Sequence, residues 1–289
     1  MELYHKKLEG KAHESVPVER IIKPKRGLVP IDFNELWRHR ELFVFLAWRD
    51  ILVRYKQTAI GIAWIVIQPI MVMIVFTVIF GKIAKLPSEG IPYPVLIFVA
   101  LLPWQFFSNA LTETSNSVVA NAGMISKIYF PRLIIPVSVI ISEMIGFAIS
   151  FVILICLMFW YHVVPTENVF FLPLFFLLAI AIALGAGLWF SAINVKYRDI
   201  KHIVPFLVRV GLLISPVGFL SSVVPERYQL LYSLNPIVGV IDGFRWCLLG
   251  RKVVPNWTGL WISVAIVTIL LIIGAYYFKK MEKTFGDII

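Results

Sequence analysis

Residues 133–161 read LIIPVSVIISEMIGFAISFVILICLMFWY, and Glu143 is the one formal charge in the stretch. Crossing the hydrocarbon core of a bilayer takes ~20 apolar residues in helical conformation, and this run is longer than that. A helix on the surface of a water-soluble domain would show a polar face, which this segment lacks. Glu143 lies ten residues into the run, so at 1.5 Å per residue it sits roughly 15 Å deep, near the midplane. An ionisable group at that depth is costly and marks a functional candidate. A protonated or hydrogen-bonded packing role fits the same residue.

Working outward, five more runs have the same character. They are Gly61–Gly81, Pro94–Thr114, Phe170–Ile193, Ile203–Ser222 and Trp257–Phe278. The whole chain agrees, with 59 % hydrophobic and 15 % charged residues among 289. A soluble domain of that composition could not cover itself with polar surface. The expected fold is therefore an all-α membrane protein of six transmembrane helices, with residues 61–289 forming the transmembrane domain.

The net charge of +10 could suggest nucleic acid, but its distribution points to membrane orientation. Twelve of the 27 Lys and Arg residues precede Gly61. Lys127 and Arg132 follow the second run, Lys196, Arg198 and Lys201 follow the fourth, and Lys279, Lys280 and Lys283 follow the last. The alternate loops hold only Lys82, Lys85, Arg227, Arg245, Arg251 and Lys252. Basic loops stay in the cytoplasm, so both termini are expected there.

Residues 1–30 are polar and contain Pro17, Pro24 and Pro30 with no apolar h-region, so they are not a signal peptide. Their composition fits a disordered cytoplasmic tail. Residues 31–60 then change pattern. Phe33, Leu36, Trp37, Val44, Ala47, Trp48, Ile51 and Tyr55 recur at helical spacing, while Glu35, Arg38, Arg40, Glu41, Arg49 and Arg54 fall largely elsewhere. Asp32 with Glu35 resembles a capping box. An amphipathic helix of this kind is expected in the membrane interface, as an anchor or as a docking surface for a cytoplasmic partner.

Several spans carry breaks. Pro69 follows Gln68 in the first, and Pro205 and Pro216 lie in the fifth. A proline frees a backbone carbonyl, which in lipid must be satisfied by protein or water. Such helices are expected to pack on neighbours or line a cavity. Two short apolar segments, Arg227–Leu234 and Ile237–Leu249, flank Asn235-Pro236. Each is too short to span, and charge parity keeps both ends outside. They fit short helices re-entering the outer leaflet, or two helices lying flat in the interface.

Catalytic chemistry is hard to find. No glycine-rich loop ends in Gly-Lys-Ser/Thr, so nucleotide binding of that kind is not expected. The five histidines are scattered over tail, interface and loops, and none pairs at metal-ligand spacing. No His at membrane depth could activate a span serine. Cys156 and Cys247 show no redox or metal spacing. Arg209, about two turns into the fifth run, could snorkel to the interface or help receive an anionic lipid headgroup. Trp104, Phe106, Phe107, Trp257 and Trp261 suit an interfacial belt, and aromatic faces could equally stack on sugar rings.

Ordered motifs run from Phe33 to the end. They are Arg49-Asp50 with Arg54-Tyr55-Lys56, then Gly61, Trp64 and Pro69, and then Leu102-Pro103-Trp104-Gln105-Phe106-Phe107. Tyr129-Phe130-Pro131-Arg132 with Pro136 and Asn194-Val195-Lys196-Tyr197-Arg198-Asp199-Ile200 come next, before Ser215-Pro216, Asn235-Pro236 and Phe244-Arg245. In this order the chain resembles the membrane subunits of bacterial ABC exporters of polysaccharides, which handle O-antigen, capsule and teichoic acid.

The resemblance implies a second copy of the chain and two separate ATP-binding cassette subunits, which would hold ATP and Mg, with no cofactor in this chain. It implies a coupling loop over residues 120–132, with Lys127, Tyr129 and Arg132 meeting the ATPase beside Trp37 and Arg38. It implies a glycan substrate, commonly on a polyprenyl diphosphate, with Arg49, Arg54, Lys56, Arg198 and Arg209 placed to meet the headgroup. Trp64, Trp104, Phe106, Glu143, Asn235, Pro236 and Arg245 would belong to the channel and its gate, and residues 225–250 to the outer gate segments. The location implied is the bacterial inner membrane. A drug or another lipid-linked molecule is the alternative cargo.

Overall fold

The computed structural model describes residues 33–56, 63–250, 253 and 255–285. The tail expected over residues 1–30 lies outside them. The described chain is helical, with no strand among the described residues.

The segment expected as one helix over residues 31–60 is two, α1 (Phe33–Arg38) and α2 (Arg40–Lys56), separated by a turn at His39. Next comes α3 (Ala63–Phe76), which continues into a π-helical stretch, Thr77–Ile83, closed by Ala84 N donating to Ile79 O at 2.8 Å. Helix α4 (Tyr93–Ala120) leads through the single turn α5 (Ala122–Ile125) to α6 (Ile134–Trp160). A 3-10 turn, Glu167–Phe171, opens α7 (Leu172–Lys196), and α8 (Ile200–Ile214) follows. The short α9 (Glu226–Tyr232) and α10 (Pro236–Leu249) precede the last long helix, α11 (Trp257–Met281).

Among the described residues, five helical stretches are long and apolar enough to cross a membrane: Ala63–Ile83, Tyr93–Ala120, Ile134–Trp160, Glu167–Lys196 and Trp257–Thr284. The chain is an integral membrane protein. The expected span Ile203–Ser222 departs from this pattern, because α8 ends at Ile214. Its 15 residues cover only about 22 Å at 1.5 Å each. The cause is local. A residue before proline is pushed out of the α region, and Ser215, ahead of Pro216, is extended at φ −82°, ψ 154°.

Helix α4 is the centre of the bundle. In its most apolar window 72 % of residues are buried, against 11–33 % in the other four spans. It is also the least apolar of the five, at a mean hydropathy of 1.6, which burial in protein permits. The hydroxyls of Ser108, Thr112, Ser115 and Ser117 bond back to their own helix, with Thr112 donating to Ser108 O and Ser117 to Thr114 O, both at 2.8 Å. Lipid tails offer no apolar driving force between helices, so close approach of small residues does that work. The α7–α11 crossing depends on it: a Cβ on Gly274 would lie 2.0 Å from Gly185 O, and one on Gly185 would lie 2.8 Å from Leu271 N.

The bundle has two distinct ends. One gathers α2, the 121–133 segment, the last turns of α7 and the C-terminal turn, sharing a core of Leu46, Ile125, Phe130, Val195, Phe278 and Phe285. It is called the terminal end below. The other, distal end holds the loop before α4, the break after α8, and α9 and α10. Helix α10 is no surface helix, since all its residues from Ile237 to Leu249 except Trp246 are buried.

Candidate functional site

The most elaborate polar arrangement lies at the distal end, around the break that stops α8. Pro216 lacks an amide, and the turn that follows leaves carbonyls that helix geometry would have satisfied. Four side chains from elsewhere hold this segment. Arg245 on α10 donates from Nη1 to Phe219 O at 2.9 Å and from Nη2 to Val217 O at 3.3 Å. The Tyr93 hydroxyl donates to Gly218 O at 2.8 Å. Asn235 Nδ2 donates to Ser215 Oγ at 3.0 Å, and Ser221 Oγ donates to Asp242 Oδ1 at 2.7 Å. Gly218 lies flat on the Phe80 ring, where a Cβ would come within 2.4 Å of ring carbon.

Arg245 is completely buried and Asp242 nearly so, at 0 % and 7 % exposed. Burial lowers the Arg245 guanidinium to about 10, opposed chiefly by Asp242, so it remains a cation at neutral pH. Burial raises the Asp242 carboxyl above its ordinary range, against the pull of Arg245 and the Ser221 hydrogen bond. Buried charges are kept only where they are paired and hydrogen-bonded, and here the carbonyls of a broken helix supply those bonds.

Asn235 and Arg245, singled out from the sequence, therefore meet at one structural element, with Pro236 opening α10 at its first position. Ser215 entered only through the Ser215-Pro216 motif, and Tyr93, Ser221 and Asp242 were not singled out. Asp242 could have been found, because an acid three residues before a base within a short apolar helix places both on one face. Tyr93 gives no such signal, being one aromatic among many.

The terminal end carries the other candidates. Arg49 donates to Asp50 Oδ1 at 2.7 Å and to Asn121 Oδ1 at 2.9 Å, joining α2 to the end of α4. Arg132 is half-buried. Its amide donates to Glu282 Oε1 at 2.9 Å, its guanidinium to Glu282 O, and its charge lies 5.9 Å from the centre of the Phe285 ring. Both arginines are thus internal ties. Lys127 and Arg38 are exposed, with Tyr129 at 89 % and Trp37 at 72 %. Arg54 and Lys56 lie in the last turn of α2, and their side chains fall outside what the structure describes.

The remaining candidates are dispersed. Trp64, Arg198 and Arg209 are exposed. Trp104 is buried beside Phe107, with ring centres 5.6 Å apart. Phe106 is enclosed by Phe147 and Phe176, at 5.8 and 4.9 Å, so neither ring faces a path within one protomer. Glu143 is buried on α6. Asn194, from the motif after α7, is buried and donates to Ser115 O and Asn116 Oδ1, both at 3.0 Å.

A family model for the ABC-2 type transporter matches residues 41–249, from the start of α2 to the end of α10. The chain belongs to the ABC-2 type transporter family. That match takes in the broken helix, its arginine, the Arg49–Asn121 tie and Arg132, while Glu282, the partner of Arg132, lies beyond it. Similar proteins of this ABC-2 group include the O-antigen export system permease protein RfbA of Klebsiella pneumoniae, 27 % identical over 86 % of this chain and 95 % of its own length. The RfbA of Myxococcus xanthus is 27 % identical over 88 % and 97 %. The polysialic acid transport protein KpsM of Escherichia coli is 25 % identical over 81 % and 91 %.

Proposed function

We propose that this ABC-2 family chain is the permease subunit of an ATP-driven exporter that carries a lipid-linked polysaccharide, such as O-antigen, across the bacterial inner membrane. The observation that carries the reading is the near end-to-end similarity to permeases of O-antigen and polysialic acid transport. The working unit is two copies of this chain with two ATPase subunits, and both termini lie in the cytoplasm.

Six crossings are part of this reading, and a parity argument supports them. Helix α2 and the C-terminal turn lie at the same end, bridged by Leu46, Phe278 and Phe285 in one core. A chain that leaves and returns to one side crosses an even number of times. Five crossings are the long helices, and the sixth is α8 extended by the non-helical Ser215–Leu220. Non-helical backbone at membrane depth survives only where protein satisfies it, which is the service Arg245 and Tyr93 provide. Helices α9 and α10 then act as the outer gate segments.

At the cytoplasmic side the exposed Lys127 and Tyr129, with Trp37 and Arg38, form the surface that meets the ATPase. The ties through Arg49 and Arg132 make α2, the 121–132 segment and the C-terminus move together, so ATP-driven closure is passed to several spans at once. The test is a mild-detergent pull-down of the full chain, assayed for ATPase and lipid-linked glycan, beside a deletion strain. A copurifying ATPase and glycan trapped inside deleted cells are expected. A chain that purifies alone, with surface glycan unchanged on deletion, refutes the exporter reading; a copurifying ATPase with unchanged glycan points to another cargo.

A further inference from the structure

Helix α4 reverses the arrangement that lipid contact demands. In α6 the polar Ser142, Glu143 and Ser150 are buried while Ile141, Ile145, Val152 and Ile155 are exposed, as expected of a helix with one side in acyl chains. Helix α4 exposes no large hydrophobic side chain. From Val95 to Ala120 its exposed residues are Asn109, Glu113 and Ala120, and Gln105, Thr112 and Asn116 beside them are half-buried. Steps of three and four residues set these polar positions on one helix face. Val95 to Trp104 is buried on every side, so the polar stripe begins where the covering of the distal half stops.

Depth gives the stripe its meaning. Centred on a ~30 Å hydrocarbon core, α4 places Gln105 and Asn109 within about 4 Å of the midplane and Glu113 about 10 Å from it. Thr112 bonds back to Ser108 O, and Asn116 Oδ1 accepts from Asn194. The side chains of Gln105, Asn109 and Glu113 have no hydrogen-bond partner among the described residues, and Glu113 has no ion-pair partner there. Acyl chains can satisfy none of them, which is costly at this depth. A second copy pressed directly on the stripe fits no better. Two copies inserted in the same sense are related by a two-fold axis along the membrane normal, so their stripes would meet at equal depth. That sets Glu113 against Glu113 with no cation on either stripe, and close like charges oppose contact. Water satisfies all three side chains and tolerates the charge.

We infer that this face of α4 lines the water-filled path of the exported glycan through the membrane, with Gln105, Asn109 and Glu113 as its hydrogen-bonding groups. The inference rests on the exporter reading, which supplies the cargo, and assigns residues to its route. Carboxamides both donate and accept, so a hydroxyl lost to the moving chain is replaced by water or by the next hydroxyl. Trp104 and Phe106, on the same helix, point into the bundle instead.

The test uses inverted inner-membrane vesicles holding the full chain and its partners. Single cysteines replace Asn109, Glu113 and, as a lipid-facing control, Ile269, which is exposed at the centre of α11. Cys156 is changed to Ser and the buried Cys247 is kept. The reagent is a small sulfonated methanethiosulfonate, which attacks the thiolate, a form that apolar surroundings suppress. Asn109→Cys and Glu113→Cys are expected to react about tenfold faster than Ile269→Cys, or more. Gln105→Cys replaces either variant if it melts low. Rates equal to that of Ile269→Cys overturn the hydrated path. So does slow reaction with ready cross-linking between copies on oxidation, which places the stripe in a dry contact. Cargo is read separately, by ATP-driven uptake of lipid-linked glycan into the same vesicles. Reagent attached to Asn109→Cys after folding should slow uptake several-fold relative to the untreated variant. Fast labelling with unchanged uptake overturns the assignment to the glycan's route and leaves the exporter reading standing. That reading fails instead if vesicles lacking the chain take up glycan equally well.

Discussion

Arg245 is the residue on which the distal end turns. It is a cation with no exposed surface, and it is tolerable because two carbonyls of a broken helix accept from it. Removing one partner of a buried charged network typically costs ~3–5 kcal/mol. Arg245→Ala is therefore expected to destabilise the chain by about that amount, read as a lowered apparent Tm in nanodiscs. Arg245→Lys should recover only part, since one ammonium cannot reproduce the two-armed fork. A variant to alanine as stable as the native chain would show that the break holds without it. Gly274 presents the opposite constraint, a side chain that must be absent. Gly274→Leu drives a side chain into the Gly185 backbone and should cost ~1–3 kcal/mol or more by overpacking, measured by the same melting assay.

Elements meet through ties that their own sequences do not announce. The 121–132 segment is held at one end by Arg49 reaching Asn121 and at the other by Arg132 reaching Glu282. Charge reversal at Lys127, which is exposed, should weaken ATPase copurification while leaving the stability within about 0.5 kcal/mol of native, as for a surface change. Arg132→Glu should instead lower stability by ~1.5–3 kcal/mol, the worth of hydrogen bonds to a charged group, and lose ATPase coupling as a consequence. Truncation after Met281 removes the same partner, so the two changes combined should be less than additive. Full additivity in melting experiments would sink the idea that Arg132 and Glu282 form one tie.

At the scale of the whole molecule the even number of crossings is a direct wager. Cys156 is exposed and Cys247 buried, so Cys156→Ser gives a quiet background for new cysteines. In whole cells a membrane-impermeant maleimide should label Lys85→Cys at the distal end from outside. It should label Ser126→Cys at the terminal end only after the membrane is opened. Labelling of Ser126→Cys in intact cells would invert the proposed orientation. The reverse case, both labelled from outside, would break the parity argument itself.

Much of this was legible in the sequence. Long apolar runs become helices in a bilayer, because helical backbone satisfies itself there, so the spans read over residues 61–81, 94–114, 133–161, 170–193 and 257–278 needed no tertiary information. The charge asymmetry and the motif order were equally local. Pro216 announced a break, and the short segments around Asn235-Pro236 announced helices too short to span. The sequence could not say that Phe106 would be sealed among Phe147 and Phe176, that Arg49 and Arg132 would be ties and not open cations, or that Tyr93 would serve a carbonyl 125 residues away. Those outcomes depend on which helix faces which, and in lipid that choice is made by close packing of small residues and by the pairing of buried polar groups. Hydrophobicity determined where the chain crosses the membrane; only the assembled bundle decided what each polar side chain would find there.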